Sequence, residues 1–138
     1  MTNNPTSIPT NTAPKKRVRW VLWLVLFLLI LPAAGFAGYV WVTTHFSYSS
    51  GERSGYIQKI SKKGWVCKTW EGELAMTTMP GTAPQIFAFS VPDEATAKKI
   101  EQASGQRVAV SYDQHKGVPG TCFGETEYWV TGVRALGQ

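Results

Sequence analysis

Histidine and cysteine are scarce in this chain of 138 residues, two of each, and nine acidic residues face fourteen basic ones. His45 and His115 stand 70 positions apart, and no His or Cys pair has ligand spacing, so no metal site is expected. The G-x-G-x-x-G turn of a dinucleotide site is missing, and the chain is too short for a nucleotide domain plus a substrate domain. No cofactor is expected. Ionisable side chains vanish altogether from Trp20 to Val42, WVLWLVLFLLILPAAGFAGYVWV, a run of 23 residues. That last absence divides the chain into a tail (1–19), a transmembrane helix (20–42), a linker (43–54) and one small domain (55–138).

At about 1.5 Å per residue, a helix of this length covers roughly 35 Å, enough to cross a hydrocarbon core of about 30 Å. Trp20 and Trp23 at one end and Tyr39 and Trp41 at the other match the aromatic belts of a membrane span. Pro32 can kink the helix, and the pairs Ala33/Ala37 and Ala34/Gly38 offer small-residue contacts to another helix. Lys15, Lys16, Arg17 and Arg19 precede the run, which by the positive-inside rule leaves the N-terminus in the cytosol and the domain outside it. A secretory signal peptide cut near Ala37 is the alternative. Against it, the apolar run continues through Tyr39 to Val42, and Phe36 separates the small residues of the cleavage site.

Those four basic residues also account for most of the net charge of +5. From Phe46 onward ten basic residues meet nine acidic ones, so the domain is nearly neutral and gives no electrostatic footprint for nucleic acid. The tail before them, MTNNPTSIPTNTAP, has no cluster of large apolar residues and is expected to be disordered.

Within the domain, alternation predicts a first strand over Gly55–Ser61, with Tyr56 and Ile60 on one face and Ile57 on the other. A turn closes at Gly64. A long strand from Trp65 to Met76 puts Val66, Trp70, Leu74 and Met76 on one side, with Gly72 marking a bend. A loop over Thr77–Pro84 leads to a third strand carrying Phe87, Phe89 and Val91 inward. Pro92, Asp93 and Glu94 open a helix that stops at Gly105. Val108, Val110 and Tyr112 face inward from a fourth strand, and the loop Asp113–Gly124 precedes a last strand over Glu125–Leu136. One N-terminal transmembrane helix plus a mainly-β domain in the order β-β-β-α-β-β fits a small five-stranded OB-like barrel, with an SH3-like barrel or an open antiparallel sheet as alternatives.

The segment YSSGERSGYIQKISKKGWVCKTWEGEL, with GVPGTCFGETEYWVTGV near the end, resembles a group of uncharacterised small single-span bacterial membrane proteins. KTWEGEL is the most specific piece of the likeness. Some members of that group carry the name 6-phosphogluconate dehydrogenase. The resemblance implies no activity and no functional residue, and the missing dinucleotide turn sets the chain apart from such a dehydrogenase.

Outside the cytosol the only two cysteines, Cys67 and Cys122, are expected to form a disulfide. It would close a loop of about 56 residues, worth about 4 kcal/mol in the chain-entropy description. Glu71 and Glu73 share one face of a strand roughly 7 Å apart, within reach of the carboxylate pairs of glycosidases, although a solvated outer face shared with Lys68 is the commoner arrangement. His115 and Cys122 lie in one loop, but a bonded thiol is no nucleophile. No catalytic residue is therefore assigned. The aromatic residues Trp65, Trp70, Phe123 and Trp129, with Glu71, Glu73 and His115, form the expected ligand or partner surface, although core packing is the commoner fate of Trp70 and at least one other of them. The expectation is a membrane-anchored, non-catalytic module whose partners are the lipid bilayer and an envelope protein or glycan. The alternative is a small envelope enzyme or glycan-binding domain using the loop 113–124 and the Glu71/Glu73 face.

Overall fold

A computed structural model describes residues 15–76 and 80–137. The expected disordered tail up to residue 14, and part of the loop expected at 77–84, lie outside the described residues. The chain divides into two compact units after Gly38.

Helix α1 spans Lys15–His45 and continues through Pro32. It is long and apolar enough to cross a membrane, and a signal sequence would pass the same test. Its side chains are exposed on every side from Arg17 to Tyr39. The helix outlasts the apolar run by three residues. There Thr43 and Thr44 return their hydroxyls to the carbonyls of Tyr39 and Val40, and the His45 ring stacks on Trp41 with centroids 4.7 Å apart.

The second unit is a five-stranded mixed sheet made of β1 (Ser49–Lys63), β2 (Thr69–Met76), β3 (Ile86–Val91), β4 (Arg107–Gln114) and β5 (Tyr128–Ala135). Helix α2 (Glu94–Gln102) lies between β3 and β4 in sequence. The pairings run β1-β2-β3-β5-β4 and return to β1. All are antiparallel except the single parallel bridge Ser90↔Trp129 between β3 and β5.

Three strand expectations need correction. The first strand begins at Ser49 rather than Gly55, because the polar stretch SSGERS, expected to be linker, pairs residue for residue with β4 from Ser49↔Gln114 to Tyr56↔Arg107. Its second half pairs with β2, and between Ile57 and Lys59 the register slips around Gln58. That bulge turns the strand over, so Ile57 and Ile60 both reach the core while Tyr56, expected beside Ile60, is turned out. The second strand starts at Thr69, four residues late, and Val66 lies in the preceding turn, 96% exposed, instead of on the inner face. Gly64 opens that turn with φ +123°, as its position suggested. The last strand begins at Tyr128, three residues later than expected.

The core joins Ile57, Leu74, Phe87, Phe89, Val91, Val108, Val110 and Val130 to Ala97 and Ile100 of α2. Gly72 is buried against the Phe89 ring, and any side chain there would strike it. The helix starts later than expected because Asp93 is extended (φ −102°, ψ 126°) and serves as its cap, leaving Pro92 outside. The Asp93 carboxylate accepts from the Thr96 amide at 2.8 Å and the Thr96 hydroxyl at 2.9 Å. The amide bond, then the hydroxyl, hold that carboxyl below its ordinary range.

Candidate functional site

The 13 residues between β4 and β5 leave the sheet, cross the outside of β2 and β3, and return. Three attachments fix their course. At the start, the His115 amide donates to the Glu127 carbonyl at 2.8 Å. The buried His115 ring places Nδ1 at 3.1 Å from the Thr43 carbonyl and lies against Trp129 with centroids 4.2 Å apart. Tyr39 donates its hydroxyl to the Gly117 carbonyl at 2.7 Å. His115 is thus used in positioning the loop, and it is separate from Cys122, which carries no free thiol.

The second attachment is the disulfide Cys67–Cys122, with Cα atoms 4.9 Å apart, as the even cysteine count led one to expect. It joins the turn before β2 to the far part of the loop.

The third is Glu71. Expected on a solvated face, it is instead 6% exposed, because the returning loop covers it. Its Oε1 accepts from the Thr69 hydroxyl at 2.8 Å and the Glu125 amide at 3.0 Å, and its Oε2 accepts from the Ser90 hydroxyl at 2.7 Å. Ser90 in turn accepts from the Thr126 amide at 3.0 Å. A buried carboxylate needs such donors to offset its lost hydration. Gly124 permits this closeness: its φ is +152°, and a Cβ there would lie 2.7 Å from Ser90. Glu73 remains half-buried on the same strand and takes no part in this network. The pair therefore divides into one saturated anchor and one ordinary surface acid, a poor arrangement for two cooperating catalytic carboxyls.

Between these attachments lies a cavity of about 190 Å³ lined by Lys68, Thr69, Trp70, Val91, Pro92, Cys122, Phe123 and Trp129. Three of the expected surface aromatics, Trp70, Phe123 and Trp129, are brought together here, and Lys68 supplies the charge. Trp70 also packs on the core, and its indole N–H is buried without an acceptor among the described residues. Trp65 is not in the lining. It stands in the turn Gly64–Lys68, 102% exposed beside Val66.

Sequence reasoning missed Thr69, Ser90 and the Glu125 amide as the donors to Glu71, and Thr126 as the donor to Ser90. Ser90 left a faint signal, a lone hydroxyl in the apolar strand IFAFSV. It missed Arg53 as well. That guanidinium lies 4.5 Å from the Phe87 ring centre, 5.5 Å from Tyr112 and 5.9 Å from Tyr128, a meeting that only strand register decides. Among the described residues, no group of three or more His, Cys, Asp or Glu side chains could hold a metal ion.

No curated protein matches the sequence. A family model does match residues 46–136, from the residue after α1 to the one after β5, and so covers all five strands, the disulfide and the cavity. The chain belongs to this family, described as a domain of unknown function (DUF8785).

Proposed function

We propose that this is a single-span bacterial membrane protein holding an OB-like barrel in the periplasm or its equivalent, where it binds an envelope protein or glycan without catalysing a reaction. The strand order β1-β2-β3-β5-β4, with a helix between β3 and β4, supports the OB-like reading. The basic residues before the apolar run favour a cytosolic N-terminus. The disulfide fits an oxidising compartment on the other side.

The observation that carries the binding role is the cavity beside the disulfide. Its aromatic and apolar walls, with one lysine at hand, make a site of the kind that anchors a ligand by packing and orients it by charge. It sits where strands β2 and β3 meet the β1–β2 turn and the β4–β5 loop, which the disulfide ties together. The saturated hydrogen bonding of Glu71 favours a binding surface over the enzymatic alternative.

Replacing Phe123 with a photo-crosslinking amino acid in the full chain, in native membranes, tests the reading. A discrete adduct, lost when Trp129→Ala is added, is expected. Crosslinking to no envelope component above background overturns it.

A further inference from the structure

The turn Gly64–Lys68 enters the cavity lining only through Lys68, and its tip, Trp65 and Val66, is not explained by the cavity. A tryptophan and a valine at 102% and 96% exposure are left wholly in water, yet the backbone that carries them is firmly held. Lys63 pairs with Thr69 at its base, and Cys67, next to Val66, is bonded to Cys122. A turn presented so rigidly loses little conformational freedom when its tip is buried.

The polar side chains of the turn itself are of one kind, all lysine, and Lys62 also lies 5.4 Å from the Trp70 ring centre. From Lys62 to Lys68 the sequence is KKGWVCK, with no side chain that accepts a hydrogen bond strongly. Sugar hydroxyls call for acceptors as well as donors, and a protein partner's amides call for acceptors. Phosphates call for cations and hydrogen-bond donors, which the lysines supply. Lys68 makes no ion pair among the described residues. Lys62 and Lys63 meet Glu94 and Glu125 at 3.7 Å, with all four side chains 42–57% exposed. Exposed pairs of that length hold weakly and exchange readily for other anions. An apolar tip containing Trp, ringed by lysines, is the composition that settles at the boundary between lipid headgroups and acyl chains, with the ammonium groups reaching back to phosphate.

We propose that this turn is a lipid-insertion finger: Trp65 and Val66 enter the interface of an anionic bilayer, and Lys62, Lys63 and Lys68 engage its phosphates. The finger is a second membrane contact of the chain, resting on the membrane location proposed above; it shares Lys68 with the ligand cavity, and its apolar tip lies outside the lining.

The test uses the full chain in nanodiscs, with Val66 replaced by an environment-sensitive fluorescent amino acid and Trp65 kept. Spin-labelled anionic lipid is placed either in the nanodisc or in added vesicles, so insertion into the chain's own bilayer and into an opposed one are both read. The expected result is quenching in one arm. Lys62→Gln, Lys63→Gln and Lys68→Gln together should weaken the lipid dependence by about tenfold or more, and Trp65→Ser should abolish the quenching while the disulfide stays intact. Absence of quenching in both arms overturns the proposal, as does equal quenching with Trp65→Ser. A probe that is shielded from water yet unquenched in both arms overturns the bilayer in favour of a protein partner.

Discussion

Around Arg53 and around Trp65 the chain uses the same ingredients, aromatic rings and basic side chains, in opposite ways. Phe87, Tyr112 and Tyr128 meet one another with ring centres 5.0–5.5 Å apart and hold the Arg53 guanidinium over their faces. Every group there has its partner within the fold. Trp65 and Val66 have none among the described residues, and the lysines beside them are only loosely paired. The first cluster draws one residue from each of β1, β3, β4 and β5, so it exists only when the sheet is assembled. The second comes from a single turn and needs only its base held. A ring shared by four strands contributes to stability; a ring on a clamped turn contributes to whatever it touches next.

Equivalent truncations in the two regions should therefore differ most. Phe87→Ala removes a ring that is 5% exposed and the centre of the Arg53 cluster. A loss of about 3–5 kcal/mol is expected in chemical denaturation of the detergent-purified chain. A loss below about 1 kcal/mol would mean that the cluster is a surface decoration and would erase the contrast.

Opening the disulfide comes next. With 55 positions between the cysteines, Cys67→Ala with Cys122→Ala should cost up to about 4 kcal/mol. It should also release the finger, raising amide exchange at Trp65 and Val66 while the strands around Arg53 exchange as before. Equal acceleration in both regions would show that the clamp supports the whole sheet.

Glu71→Ala should follow, at about 1–3 kcal/mol, since it strands the hydroxyl of Ser90 and the amide of Glu125 in a covered site. Glu73→Ala should change stability by less than about 0.5 kcal/mol. Two acids one residue apart on the same strand would then behave as anchor and bystander, measurable in a single pair of denaturation curves. Equal losses would mean that the returning loop does not lean on Glu71.

The same contrast marks how much was legible beforehand. Periodicity identified the inner faces of β3 and β4, with Phe87, Phe89, Val91, Val108, Val110 and Tyr112 as expected, because an alternation of apolar and polar residues is a local signal. The cysteine count gave the disulfide. What failed depends on pairing. SSGERS is polar and reads as linker, yet it becomes strand because β4 offers a complete edge to it. Val66 reads as inner face only if β2 is assumed to start at Trp65; the turn that the disulfide holds displaces it. Glu71 reads as solvated until a loop 54 positions later is seen to cover it. The cavity followed the same rule: Trp70, Phe123 and Trp129 were singled out as aromatics, but their convergence, and the exclusion of Trp65 from it, rests on the crossing of that loop.

Trp65→Ala should have the smallest effect on folding, within about 0.5 kcal/mol, although it removes the largest side chain in the protein's repertoire. The reason is that stability counts only surface withdrawn from water in the folded state, and the Trp65 side chain withdraws none: it is 102% exposed. Its cost is instead one of solubility, so the substitution should reduce self-association in dilute detergent while leaving the denaturation midpoint in place. A tryptophan whose loss leaves the fold unchanged, on a turn that the fold takes a disulfide to hold, is placed for contact with something outside the domain. A marked fall in the midpoint would show instead that the indole folds back on the domain in solution, and the difference between the Arg53 and Trp65 regions would then be one of degree.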